Sequence, residues 1–162
     1  MVSKTTHVFK NVDNLDLKVD AYLPTASEKP WSTAVLYLHG GGLVAFDREW
    51  LPTHVVQSCM IRGWPLFSAD YRLMPQASGR DMLEDVVAAY DFVRTELLTK
   101  PGFEENIKIV LMGASAGLPT HALILEKSQA KIFRWLLVFH CKAAFAASSR
   151  DGFQLLRSTN LS

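Results

Sequence analysis

One serine lies at the centre of a run of small residues that could carry nucleophilic chemistry. Ser115 stands in Gly113-Ala114-Ser115-Ala116-Gly117, directly after the apolar, β-branched run 107–112. A nucleophile on a sharp strand-to-helix turn needs small neighbours, because the turn is strained and the following helix packs closely. The pattern therefore predicts a nucleophile elbow, with the N–H of Ala116 at a helix N-terminus that stabilises a developing oxyanion. A glycine- and serine-rich turn after a buried strand is the alternative that the pentapeptide leaves open.

A second glycine motif, His39-Gly40-Gly41-Gly42, follows the apolar run 33–38. Three successive glycines cost conformational entropy, so bare backbone must be required there. An oxyanion hole has this requirement, since its N–H groups must approach a ligand oxygen with no Cβ between them. A tight turn is another interpretation, and a phosphate-binding loop is disfavoured because no Gly-Lys-Ser/Thr follows. His39 is interpreted as a structural residue that hydrogen-bonds the loop rather than as a catalytic base.

The elements that must position these motifs alternate between strands and helices. Apolar runs and period-two patterns predict strands at 7–12, 15–23, 33–38, 64–69, 107–112 and 135–139. Helical patterns cover 47–62 and 80–98, and the polar segment 25–32 is predicted to be a surface loop. This alternation predicts an α/β fold with a mostly parallel sheet and flanking helices. Its ligand site is expected at the carboxyl ends of the central strands, where both glycine motifs stand.

Two charged residues, Asp70 and Arg72, follow the predicted strand at 64–69. Charges at the end of a strand usually brace a loop through an ion pair. Structural support of the site is therefore expected of both residues, in preference to catalysis.

The composition is that of an ordinary globular protein. The chain has 162 residues, of which 49% are hydrophobic and 20% charged, which predicts a single domain. A net charge of +1 provides no argument for binding nucleic acid or an anionic membrane. Cys59 and Cys141 are far apart and outside any metal-ligand spacing, so free thiols and no metal are expected. No signal-peptide pattern or membrane-span run is present, and a cytoplasmic location is expected.

Residues 7–117 resemble the first half of a hormone-sensitive-lipase-like α/β-hydrolase, a member of the fold-3 group of esterases and lipases. Three motifs carry the resemblance in register: His39-Gly40-Gly41-Gly42-Leu43, Asp70-Tyr71-Arg72-Leu73-Met74-Pro75 and Gly113-Ala114-Ser115-Ala116-Gly117. The resemblance implies an α/β-hydrolase fold and hydrolysis of a small-molecule carboxylic ester without a metal or cofactor. It implies these site residues: Ser115 as nucleophile; Gly41, Gly42 and Ala116 as oxyanion hole; His39, Gly40, Asp70 and Arg72 as support.

The sequence after residue 118 departs from that family's pattern. Leu118-Pro119-Thr120-His121 stands where the pattern has another glycine and a helix of small residues. Residues 127–162 hold six of the seventeen Lys and Arg residues but one of the sixteen Asp and Glu residues. The strands that carry the family's catalytic acid and histidine have no recognisable counterpart before Ser162. We therefore expect one α/β-hydrolase domain over 1–162 that is incomplete at its C-terminal side, through truncation, a retained intron or a frameshift.

A serine without a base is a weak nucleophile. The chain offers His140 and Asp151 as weak candidates for base and acid. The alternative to an esterase is a non-catalytic relative, either a small-molecule-binding module, as in the plant gibberellin receptors of this fold, or an inactive product. Missing strands also predict an exposed sheet edge through which the chain self-associates.

Overall fold

The structure is a computed structural model that describes residues 2–25 and 29–115, together with three later backbone strands. Its first two strands form an antiparallel hairpin, β1 (Ser3–Val12) and β2 (Leu15–Leu23). Asp13 and Asn14 connect them with φ of 49° and 66°. Two successive positive φ angles give the turn a twist that matches the two strands. The predicted strands at 7–12 and 15–23 are confirmed, and β1 begins four residues earlier than predicted.

The central sheet has five strands in the order β1-β2-β4-β3-β5. Besides the hairpin, this sheet contains β3 (Trp31–Leu38), β4 (Leu66–Ala69) and β5 (Phe103–Gly113). β3 pairs parallel to both β4 and β5, whereas β1, β2 and β4 pair antiparallel. The predicted loop at 25–32 was wrong at its end, because Trp31 already belongs to β3. The N–H of Trp31 donates to the Gly102 carbonyl at 2.8 Å, and the Trp31 ring packs on Phe103.

Two helices connect the strands of this sheet, α1 (Thr53–Ile61) and α2 (Gly79–Phe92). The predicted helix at 47–62 was wrong in its first six residues, because the chain before Pro52 is a loop. Ser78 and Asp81 form a reciprocal capping box that starts α2. The predicted helix at 80–98 is confirmed, with its last turn π-helical over Val93–Leu97.

The hydrophobic core lies on both faces of the sheet. Alternate residues of a strand face opposite ways, and residues 34–38 of β3 are all buried. Leu36 and Leu38 pack in the cluster that includes Val86 and Val93, while Val35 and Tyr37 pack with the α1 side chains Val55 and Cys59. The expectation of a strand covered on both faces is confirmed, and with it the α/β architecture.

Three further strands follow the described core: β6 (Arg134–Val138), β7 (Ala144–Ser149) and β8 (Gly152–Leu156). They pair antiparallel in a second sheet. The predicted strand at 135–139 is confirmed to within a residue at each end. β5 is the last strand of the five-stranded sheet, and self-association through that edge stays a prediction. In the part of the chain that the structure describes, no helix is long and apolar enough to cross a membrane.

Candidate active site

The two glycine motifs meet at one edge of the sheet. β3 and β5 are parallel neighbours, and Leu38 pairs with Gly113 at their carboxyl ends. Beyond that pair, the N–H of Ala114 donates to the Leu38 carbonyl at 3.2 Å. A Cβ added to Gly40 would lie 3.1 Å from the Ala114 carbonyl oxygen, a close approach that favours glycine. The chain therefore brings the start of the second glycine motif next to Ala114, the residue before the serine.

Ser115 is an exposed residue in a strained conformation. Its φ is 48°, in the left-handed region that residues other than glycine rarely adopt. Ala114 beneath it is buried, whereas Ser115 itself is exposed. A strained, exposed serine at the carboxyl end of the parallel strand β5 matches the geometry expected of the predicted nucleophile elbow.

The segment 40–46, called the glycine loop below, turns sharply beside Ser115. Gly41 and Gly42 have φ of 102° and 65°, and the Gly41 carbonyl accepts from the N–H groups of Val44 and Ala45, both at 3.1 Å. A Cβ on Gly41 would lie 2.1 Å from the Ala45 oxygen, so this position has no room for a side chain. No acceptor among the described residues bonds the N–H of Gly41 or Gly42. Both donors are therefore available to a ligand.

His39 is fully buried beside the glycine loop. Its ring stacks on Tyr71 with centroids 4.3 Å apart, and the Tyr71 hydroxyl donates to the His39 carbonyl at 2.8 Å. Nδ1 lies 2.9 Å from the Gly40 carbonyl, which can only accept, so Nδ1 carries the proton. Burial lowers the pKa of His39, outweighing the Gly40 carbonyl and the carboxylates of Asp70 and Asp47. The neutral ring therefore packs against Tyr71 and bonds the start of the glycine loop.

Asp70 and Arg72 both form ion pairs, but with different partners. The Asp70 carboxylate binds the Arg48 guanidinium at 3.0 Å. Arg72 binds the buried carboxylate of Asp85 in α2, with Nε 2.7 Å from Oδ2. The segment after β4 thus contacts Arg48, just after the glycine loop, on one side and α2 on the other.

Sequence reasoning did not identify Arg48 or Asp85. Arg48 had no usable signal, because it fell within a predicted helix whose start was wrong. Asp85 could have been found from the sequence, because it lies among the apolar positions of α2, between the buried residues Met82 and Val86. A charge on the apolar face of a helix needs a buried partner.

The partners of the Ser115 hydroxyl are not found in the described part of the chain. His7 bonds Thr5 in β1. His39 lies directly before the glycine loop, and His54 is exposed in α1. None of these three histidines bonds Ser115. The other expected residues, Ala116, His140, Asp151 and also Cys141, lie outside the described residues. Burial raises the pKa of the Cys59 thiol to about 11, so this cysteine stays protonated. No group of three His, Cys, Asp or Glu in the described ranges is arranged to hold a metal ion.

A cavity of about 480 Å³ lies on the other side of the glycine loop, next to Phe46 and Tyr71. Its remaining walls come from the start of β2, from Asp47 and Arg48, and from the segment after β4. Ser115 is not among its lining residues, so this cavity is separate from the elbow.

The fold is that of the α/β-hydrolases. A bacterial heroin esterase superposes with a TM-score of 0.71 at 22% identity, over 83% of this chain and 44% of that protein. Residues 19–135 match the model of the BD-FAE family. The chain belongs to this family, one of the hormone-sensitive-lipase-like α/β-hydrolases of the esterase and lipase type.

Two curated relatives show the range of proteins in which similar sequence occurs. Lipase 2 of Moraxella sp. (strain TA144) is 32% identical over 130 residues, which are 78% of this chain and 30% of that protein. Methylphloroacetophenone synthase of Cladonia uncialis is 36% identical over 118 residues, which are 68% of this chain and 5% of the synthase. The chain therefore spans less than half the length of each of these relatives.

Proposed function

We propose that this chain carries the nucleophile and the oxyanion hole of a serine carboxylic ester hydrolase. One observation carries the proposal: Ser115, exposed at a φ of 48°, lies near a glycine loop in which the N–H groups of Gly41 and Gly42 have no acceptor among the described residues. Nothing in a simple turn requires a strained serine next to free donors, whereas ester hydrolysis requires both. The similarity to Lipase 2 supports the same class of substrate.

The proposed reaction begins with attack of Ser115 Oγ on the ester carbonyl carbon. The carbonyl oxygen becomes an oxyanion, and the N–H groups of Gly41, Gly42 and Ala116 donate hydrogen bonds to it. A base accepts the serine proton and delivers it to the leaving alcohol, so that an acyl-serine remains. Water then attacks the acyl-serine, which releases a carboxylic acid and restores Ser115. This chain's weak candidates for that base and its acid are His140 and Asp151.

The test combines covalent labelling with ester hydrolysis. A fluorophosphonate probe reacts with a serine whose proton is accepted by a base, and a short-chain p-nitrophenyl ester reports turnover. We expect labelling of the wild type and of Ser58→Ala, which removes an exposed hydroxyl of α1. We expect none in Ser115→Ala, with hydrolysis reduced by about 10³-fold or more.

The result against the proposal is equally clear. An unlabelled wild type whose rate equals that of Ser115→Ala would identify the chain as a non-catalytic relative, either a binding module or an inactive product.

A further inference from the structure

The chain that leaves the glycine loop is anchored at a single residue, Arg48. Its backbone N–H donates to Asp70 Oδ1 at 2.9 Å, and its carbonyl accepts from Ser68 Oγ at 2.7 Å. Its guanidinium donates from Nη1 to Asp70 Oδ2 at 3.0 Å and from Nε to Asp20 Oδ1 at 3.1 Å. Both the main chain and the side chain of Arg48 are therefore bonded to the sheet.

The groups that bind Arg48 belong to the rigid part of the fold. Asp20 and Ser68 are fully buried in β2 and β4. The Asp20 carboxylate also accepts from Thr6 at 2.7 Å and pairs with Lys4 at 2.8 Å, both in β1. The Arg48 side chain is only 17% exposed, so these charge-assisted bonds are little weakened by water.

The glycine loop needs such anchoring because its backbone is strained. Leu43 and Phe46 have positive φ in addition to the two glycines, with values of 67° and 72°. Strained backbone of this kind persists only where the surrounding structure holds it. Tyr71 bonds the His39 carbonyl before the loop, and the Met74 N–H bonds the Leu43 carbonyl at 2.8 Å in its middle. Arg48 provides the third attachment, after the loop.

We propose that Arg48 is a positioning residue of the oxyanion hole. By bridging Asp20 and Asp70, it holds the C-terminal end of the glycine loop and thereby the direction of the Gly41 and Gly42 N–H groups. An oxyanion hole is effective only when its donors are oriented before the reaction. The effect of Arg48 on the reaction rests on the proposed function, whereas its effect on the loop does not.

Two replacements of Arg48 separate its charge from its geometry. Arg48→Met keeps much of the side-chain volume but removes the guanidinium. Arg48→Lys keeps the charge but lacks the planar guanidinium whose separate nitrogens bond Asp20 and Asp70. Arg62→Met is the control, because Arg62 is exposed at the C-terminal end of α1 and, among the described residues, its side chain contacts the Ser58 carbonyl of that helix and the Trp64 ring.

The first measurement is amide hydrogen exchange, which does not depend on activity. Val44 and Ala45 report on the loop, because their N–H groups close it on the Gly41 carbonyl. We expect exchange at both to rise about tenfold or more in Arg48→Met. Arg48→Lys should give an intermediate rise and Arg62→Met none, while buried α2 positions such as Val86 stay unchanged.

The second measurement is ester hydrolysis by the same proteins. Misdirected donors weaken stabilisation of the transition state more than substrate binding, so kcat should fall about 10²-fold in Arg48→Met with KM within about twofold of the wild type. Unchanged exchange at Val44 and Ala45 would overturn the proposal, and so would an equal rise in α2.

The two proposals fail in different ways. Faster loop exchange in Arg48→Met with an inactive wild type would overturn the proposed function alone and support the anchoring by Arg48. Should Arg48→Met fail to fold, Arg48→Lys decides through the same comparison of loop and helix exchange.

Discussion

At the scale of single residues, Gly41 is the position where a side chain is most strictly excluded. Its φ of 102° disfavours any other residue, and an added Cβ would lie 2.1 Å from the Ala45 carbonyl oxygen. The glycine loop cannot keep this conformation with even a methyl group at Gly41. The conformation of the glycine loop therefore depends on a glycine at position 41.

We predict that Gly41→Ala lowers the free energy of unfolding by about 2 kcal/mol or more, because strain and a backbone clash act together. If the proposed function holds, it also abolishes ester hydrolysis. Gly79→Ala is the matched control, since nothing lies within 4 Å of the added Cβ in the first turn of α2. Urea denaturation compares the two variants, and similar stabilities would contradict the steric argument.

At the scale of secondary-structure elements, α2 is attached to its surroundings by a buried carboxylate as well as by its apolar face. Asp85 is fully buried and binds Lys10 of β1 at 2.6 Å. It also binds the Arg72 side chain at 2.7 Å and the Arg72 N–H at 3.1 Å. One side chain thus joins α2, β1 and the segment after β4.

We predict that Asp85→Ala removes the buried counter-ion that Lys10 and Arg72 share, and that Arg72 keeps only the more distant carboxylate of Asp81 at 3.6 Å. The loss of stability should be about 3 kcal/mol, at the lower end for a broken buried pair, because Lys10 and Arg72 remain 26% and 18% exposed. Glu84→Ala, at the neighbouring exposed position of α2, should change stability by less than about 0.5 kcal/mol. Chemical denaturation of both variants measures the difference, and equal losses would show that Asp85 acts only as a surface charge.

At the scale of the whole molecule, the ion pairs that join strands and loops make the fold sensitive to acid. Burial raises the pKa of Asp20, but bonds from Lys4, Thr6 and Arg48 outweigh it and lower the pKa overall. A carboxyl whose pKa is lower in the folded state stabilises the protein above its unfolded pKa. That stabilisation is lost as the pH falls through the lower, folded pKa.

We predict that the wild type loses stability below about pH 4, near the ordinary pKa of an aspartate. Asp20→Asn should be less stable than the wild type at neutral pH and lose less on acidification, because no proton binds there. Asp91→Asn, on the exposed face of α2, should follow the wild-type curve. Urea midpoints across this pH range provide the measurement, and parallel curves for wild type and Asp20→Asn would refute the assignment.

Much of the fold and half of the candidate site could be predicted from the sequence. The strands, α2, the hairpin turn and both glycine motifs depend on residue size and periodicity over a few neighbouring positions. Such local properties can be read from the sequence without the structure. The tight turn at Ser115 and the need for bare backbone at Gly41 belong to this group.

Only the tertiary structure determined which side chains hold those motifs in place. Arg48 meets Asp20 and Asp70 across 28 and 22 residues of chain, and Arg72 meets Asp85 rather than Asp70. These contacts arise from the strand order β2-β4-β3, which brings residues 20, 48 and 70 together at one end of the sheet. No local pattern encodes a pairing between distant charges, because their distance is set by the packing of the sheet as a whole.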